Sequence, residues 1–128
     1  HQGSVVKNEA DNLLAVFDDA QQAVRAALAM LQSAASASGG NVPAIVFSIG
    51  IDFGEVLLIE HADCFGDAVN LAYKLGEDIA RPGEVLVTQA VHDQLRGGTG
   101  LAGVQLQEAT VSVSGLAVVA YTVVPAAP

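Results

Sequence analysis

Apolar residues along this chain fall into short blocks separated by polar, turn-forming clusters, and the period within each block predicts its structure. Two short runs, Ser4 to Lys7 and Leu13 to Phe17, flank Asn8-Glu9-Ala10-Asp11-Asn12, a turn-rich stretch that predicts a hairpin with Asp11 at its tip. Asp18 and Asp19 carry the short side-chain oxygens that cap a helix N-terminus. The helix they start has an apolar face of Ala20, Val24, Ala27, Leu28 and Leu31 and gives way to a Ser/Ala/Gly loop from Ser33 to Gly40. Ala44 to Ile51 is nearly all apolar, the pattern of a strand covered on both faces, and Gly54 to Glu60 reads as its returning partner.

Further along, His61 to Phe65 leads into a helix whose pattern is sharper. At about 100° per residue, Ala68, Leu71, Ala72, Leu75 and Ile79 gather within roughly a third of the circumference, the stripe an amphipathic helix lays on a core. Asn70 and Lys74 fall on the opposite side. Their i, i+4 spacing makes them neighbours on one exposed face, where they either meet only solvent or reach together for one bound anion. Val85 to Thr88 then reads as a strand, Gln89 to Leu95 as a short helix and Gly97 to Gly103 as a turn, with Val104 to Leu106 and Val118 to Val124 as closing strands. This order predicts an α+β fold, a sandwich of one mostly antiparallel sheet with helices packed on one face.

Composition narrows the functional classes. With 128 residues and 52% hydrophobic content, the chain suits one domain large enough to bury a core. A formal charge of −9 with only five Lys and Arg excludes a clustered basic surface for nucleic acid, and a polyphosphate ligand would need metal ions to supply positive charge. Cys64 is the single cysteine, so no intrachain disulfide can form, which fits a reducing, cytoplasmic setting. No apolar run approaches the ~20 residues of a membrane span, and the first residues do not read as a signal peptide, so no membrane contact is expected of this domain. His1, His61 and His92 lack metal-ligand spacing, and no glycine-rich nucleotide loop or serine elbow is present.

Several segments, in order, resemble one family. Asp63-Cys64-Phe65-Gly66-Asp67-Ala68-Val69-Asn70-Leu71-Ala72 is similar to the Asp-x-Phe-Gly-Asp-x-Val-Asn-Leu-Ala run of the class III nucleotidyl cyclases, the adenylate and guanylate cyclases. Lys7 to Asp11 resembles that family's Lys-x-x-Gly-Asp hairpin, and Ala23 to Leu28 the helix that follows it. Ile49 to Val56 resembles its Ile-Gly-Ile-His-x-Gly-Glu-Val segment, and Pro82 to Val87 its Pro-Gly-Glu-Ile-Leu-Val strand. The resemblance implies a ferredoxin-like sandwich. It also implies that the family domain begins with a strand bearing a metal-binding aspartate and a helical segment, both ahead of the second strand where this sequence starts.

What the resemblance implies chemically is the conversion of ATP to cyclic AMP and pyrophosphate, by attack of the ribose 3′-hydroxyl on the α-phosphate with Mg²⁺ or Mn²⁺. The active sites of such a homodimer are shared, one chain giving the metal aspartates and the other the base-reading and transition-state residues. Asp11 matches the metal-binding aspartate of the hairpin; Lys7 and Asp63 match the pair that reads adenine. Asn70 matches the asparagine that orients the ribose, and Lys74 stands where the family has its transition-state arginine. Counting from Phe65-Gly66 and from Asn70 puts Asp63, not Cys64, at the base-reading position, so Cys64 is expected to pack or point aside.

This chain also departs from the family's pattern. Ala10-Asp11-Asn12 replaces Gly-Asp-Gly, Ser48 stands where many members have arginine, and Ser112 lies near their lysine. These differences define an alternative: a catalytically degenerate cyclase homology domain that regulates by dimerising or by binding nucleotide.

Overall fold

The computed structural model describes residues 3–9, 12–37, 46–59, 63–97 and 103–125. The first hairpin forms where the turn cluster predicts it. Strand β1 (Gly3–Glu9) runs antiparallel to β2 (Asn12–Phe17), with Gly3 opposite Phe17 and Glu9 opposite Asn12, and the register shifts between Val5 and Lys7. Asp19 then caps helix α1 (Ala20–Ala37). Its Oδ1 accepts from the Gln22 N–H at 2.8 Å and its carbonyl from the Ala23 N–H at 3.3 Å. The helix runs past Ser33, where the loop was expected, because alanine-rich sequence has high helix propensity and nothing in Ser33 to Ala37 interrupts it.

The middle of the chain pairs differently from the sequence expectation. After β3 (Ile49–Ile51), the returning segment does not double back onto it: β4 (Leu57–Ile59) pairs antiparallel with β5 (Asp63–Phe65), while β3 pairs in parallel with β6 (Val85–Thr88). A side-chain knot at the end of β3 accompanies this pairing. Asp52 Oδ1 accepts from the Thr88 hydroxyl at 2.6 Å and from the Phe53 N–H at 2.7 Å, so the end of β3 is fastened to the end of β6. Ala44 and Ile45, the start of the expected strand, lie outside the described residues.

Helix α2 (Asp67–Lys74) follows β5 and continues as a π-helical turn (Leu75–Ile79), where the Ala80 N–H reaches back to the Leu75 carbonyl at 2.7 Å. After β6 come helix α3 (Gln89–Gly97) and a long hairpin, β7 (Val104–Val113) with β8 (Leu116–Pro125). Both strands are longer than the sequence pattern indicated. Ser114 and Gly115, at φ 53 and 82, form the tight connection whose twist suits paired strands.

Among the described residues the sheets are β1-β2, β4-β5 and a four-stranded sheet of order β3-β6-β8-β7, antiparallel except for β3-β6. The main core joins Val24 of α1 and Val91 of α3 to Val85 and Val87 of β6, each 0% exposed. Burial on that scale contributes roughly 1.5–3 kcal/mol per side chain. Ile49 and Ile51 pack against this cluster, and Gly50, pointing the other way, meets α2 and its π-helical turn. A second cluster of Val6, Cys64 and Val69, flanked by Leu14, Val16 and Tyr73, seats the first hairpin on β5 and α2. With both faces of β3 engaged, α2 is held between the main sheet and the hairpin.

Candidate functional site

The site is built around the start of α2. Gly66 turns β5 into the helix at φ 148, and a β-carbon there would lie 3.0 Å from the Glu55 carbonyl oxygen, so both the conformation and the close approach require glycine. The Gly66 carbonyl receives the Asn70 N–H at 3.2 Å. From this start, Val69 and Leu75 turn inward, and Asn70 and Lys74 stand exposed on one face, as the helical spacing predicts.

Asp63 lies in β5, half-buried, with its Oδ1 accepting from the Cys64 N–H at 2.8 Å. Strand alternation sends Cys64 the other way, into the second cluster, where it is 3% exposed. Burial pushes its thiol pKa up, and the neighbouring Asp63 charge adds to the shift. A thiol held neutral among apolar side chains is a packing residue, as expected of Cys64.

Lys7 sits in β1 opposite Leu14; its side chain lies outside the described part. Its neighbour Val6 packs in one cluster with Cys64, so Lys7 and Asp63 belong to adjoining stretches of β1 and β5. Asp11 and Ala10 lie outside the described residues, between Glu9 and Asn12. Ser48 and Ser112 are both exposed.

Among the described residues no group of three or more His, Cys, Asp or Glu side chains converges as a metal cluster. The donor chemistry around the hairpin nevertheless fits Mg²⁺ or Mn²⁺. Asp11 supplies a carboxylate, the hard oxygen ligand these ions take, and Glu9 and Asn12 beside it carry further oxygens.

Two features were not read from the sequence. One is a cleft of about 690 Å³ between β2 and β3, walled also by α1 and α2. The edges of the two strands face this cleft, and among the described residues neither pairs with the other. The second is a side-chain hydrogen bond from Asn12 Nδ2 to Glu77 Oε1 at 2.6 Å, which ties the turn end of the hairpin to the π-helical turn beyond Lys74. No local pattern could have foretold it, because the partners are 65 residues apart.

This arrangement, a βαβ-containing sandwich with a polar pair on the helix that follows the Phe-Gly-Asp turn, is that of a nucleotidyl cyclase domain. Residues 9–124 match the adenylate and guanylate cyclase catalytic domain, and the chain belongs to that family. It is 38% identical over 102 residues to "Putative adenylate cyclase 3" of Rhizobium meliloti (strain 1021), a match covering 77% of this chain but only 17% of that protein. Among solved structures it resembles the adenylate/guanylate cyclase/hydrolase from Silicibacter pomeroyi, at 32% identity and a TM-score of 0.77 over 98% of this chain and 74% of that one. It shares its fold with the catalytic core of a rhodopsin-guanylyl cyclase, at 22% identity and a TM-score of 0.78 over 96% of this chain and 72% of that one. Among the described residues no helix is long and apolar enough to cross a membrane.

Proposed function

We propose that this chain is the catalytic domain of an adenylate cyclase. In the full-length protein it forms cyclic AMP and pyrophosphate from ATP, as a homodimer with shared active sites and with Mg²⁺ or Mn²⁺. The observation that carries this reading is the family match over residues 9–124 together with Asn70 and Lys74 standing exposed, side by side, on α2. Because the nucleophile and the phosphorus belong to one molecule, the protein's work is to bend the substrate and stabilise charge. Lys7 donates to the adenine ring nitrogen that guanine would present protonated, and Asp63 accepts from the adenine amino group. The Asn70 amide holds the ribose so that O3′ lies in line with the α-phosphorus. As the O3′–P bond forms and pyrophosphate departs, the Lys74 ammonium meets the charge growing on the phosphate oxygens. Asp11 would hold a divalent cation, and that ion, when bound, would neutralise phosphate charge and acidify the 3′-hydroxyl. Phe65, Leu57 and Ile59, exposed on β4 and β5, offer apolar surface for the second copy.

The cleft has an occupant under the same reading. The family's first strand would lie between β2 and β3, hydrogen-bond to both edges and join the two sheets into one. Amide exchange tests this directly: residues of β2 and β3 that exchange freely in the 128-residue chain should be protected in the full-length protein.

Incubating the full-length protein with ATP or GTP, each with Mn²⁺ or Mg²⁺, and separating the nucleotides by chromatography tests the activity. ATP should yield cyclic AMP faster than GTP yields cyclic GMP. Absence of product from both nucleotides with both metals refutes the reading. The second reading, a degenerate regulatory domain, rests on Lys74, Ser48, Ser112 and Ala10 standing where the family has other residues. Dimerisation or nucleotide binding without turnover would establish it instead.

A further inference from the structure

We infer that Glu77 is a positioning residue for this reaction, acting through Asn12; the inference rests on the proposed cyclase reading. The first hairpin shares no strand pairing with the four-stranded sheet among the described residues. It is seated by the apolar contacts of Val6, Leu14 and Val16 on Cys64, Val69 and Tyr73. Such contacts are non-directional. The Asn12–Glu77 hydrogen bond is directional, and it starts from the first residue of β2, which follows Asp11 in the sequence.

Asn70, Lys74 and Glu77 are all exposed and follow one another at i, i+4 and i+7, a single stripe along α2 and its π-helical turn. The residue that grips the hairpin therefore belongs to the same polar stripe as the proposed ribose and phosphate residues. One bond ties the start of β2 to the π-helical turn that continues the helix presenting Asn70 and Lys74. In a dimer with shared sites, those two elements of one chain serve different active sites, so the same bond relates one site to the other.

The pair is also specific to the residues this chain carries. An asparagine stands where the family's hairpin has its second glycine, and a glycine could donate no side-chain bond to Glu77.

The test uses the full-length protein with Mn²⁺ as the probe. Turnover of ATP is measured against Mn²⁺ concentration, Mn²⁺ binding is titrated by electron paramagnetic resonance without nucleotide, and amide exchange is followed over Asn12–Phe17. Glu77→Ala should raise the half-saturating Mn²⁺ about three- to tenfold, the range a single net hydrogen bond carries, and weaken the titrated affinity in parallel. The KM for ATP at saturating Mn²⁺ should hold within about twofold, and β2 should exchange faster. Glu77→Gln, which keeps an acceptor oxygen, should behave as wild type. The double variant Asn12→Ala/Glu77→Ala should be no worse than either single change. Equal behaviour of the Ala and Gln variants, additive losses in the double variant, or an unmoved Mn²⁺ dependence overturns the inference while leaving the proposed function standing. A wild-type protein that makes no cyclic nucleotide overturns the proposed function first and this assignment with it.

Discussion

Gly50→Ala is the most demanding test of the packing that presents the site. A β-carbon at residue 50 would lie 2.6 Å from the Gly76 amide nitrogen and 2.8 Å from Leu75 Cβ, and closer still to the Ala72 carbonyl oxygen. None of these is the end of a flexible side chain. The helix and its π-helical turn would have to lift from β3, drawing Leu75, which is 0% exposed, out of its seat. Overpacking of this kind costs about 1–3 kcal/mol, and the upper end applies where backbone must move. For a chain of this size a loss of ~3 kcal/mol corresponds to a fall in Tm of roughly 10 °C or more.

Gly76→Ala is the internal control. Its β-carbon would lie 3.0 Å from the Gly50 nitrogen and 3.6 Å from the Ser48 carbonyl oxygen, a tight but smaller clash. The gain of up to ~1 kcal/mol from replacing glycine in a helix works against it. Urea denaturation followed by circular dichroism should therefore rank wild type first, then Gly76→Ala, then Gly50→Ala. A Gly50→Ala protein within about 1 kcal/mol of wild type would refute the reasoning, since β3 and the helix could then not be packed backbone to backbone.

The remaining predictions are simpler. Lys74→Ala in the full-length protein should lower kcat about 10²- to 10³-fold, the scale seen when one transition-state donor is removed, and Lys74→Arg should retain or raise it by restoring a planar fork. Thr88→Val, nearly isosteric, removes the 2.6 Å bond to Asp52 and the 3.4 Å cap on the Val91 N–H of α3, and should cost about 1–3 kcal/mol in urea denaturation. Cys64 should react with iodoacetamide at least about tenfold more slowly in the folded chain than in urea at the same pH. Because the folded state keeps the thiol proton longer than the unfolded chain, this group's share of stability is full below pH 9.0, its ordinary pKa, and is lost as the pH rises past it. Denaturation midpoints measured between pH 8 and 11 check that sign.

The sequence was most legible where one local pattern decided the outcome. The stripe through Leu71, Ala72 and Leu75 gave α2 and the exposed Asn70–Lys74 pair, Asp19 gave the start of α1, and the turn residues around Asp11 gave the first hairpin. Pairing was less legible, because it depends on which edge a strand meets. The apolar run ending at Ile51 carried no sign that Asp52 would bind Thr88 or that β3 would pair with β6. The π-helical turn was hidden for a related reason: it lies against Gly50 on another element, where strand and helix backbones approach closely. A glycine inside a strand and another within a helical stripe were visible as letters, but only the fold sets them against each other.

That crossing has a consequence for the site as a whole. The main core holds α1, α3 and the four-stranded sheet, and the second cluster holds the hairpin, β5 and the first turn of α2. Helix α2 joins the second cluster through Val69, and the π-helical turn that continues it meets β3 of the main sheet at the Gly50 crossing. The proposed nucleotide residues divide along the same line, with Lys7 and Asp63 on the hairpin side and Lys74 next to the crossing. A perturbation at Gly50 should therefore move Lys74 relative to Asp63 before it unfolds either cluster, and activity should fall at temperatures where the circular dichroism of Gly50→Ala is still native. If activity and secondary structure were lost together, the two clusters would be one cooperative unit, and the helix could not act as the joint between them.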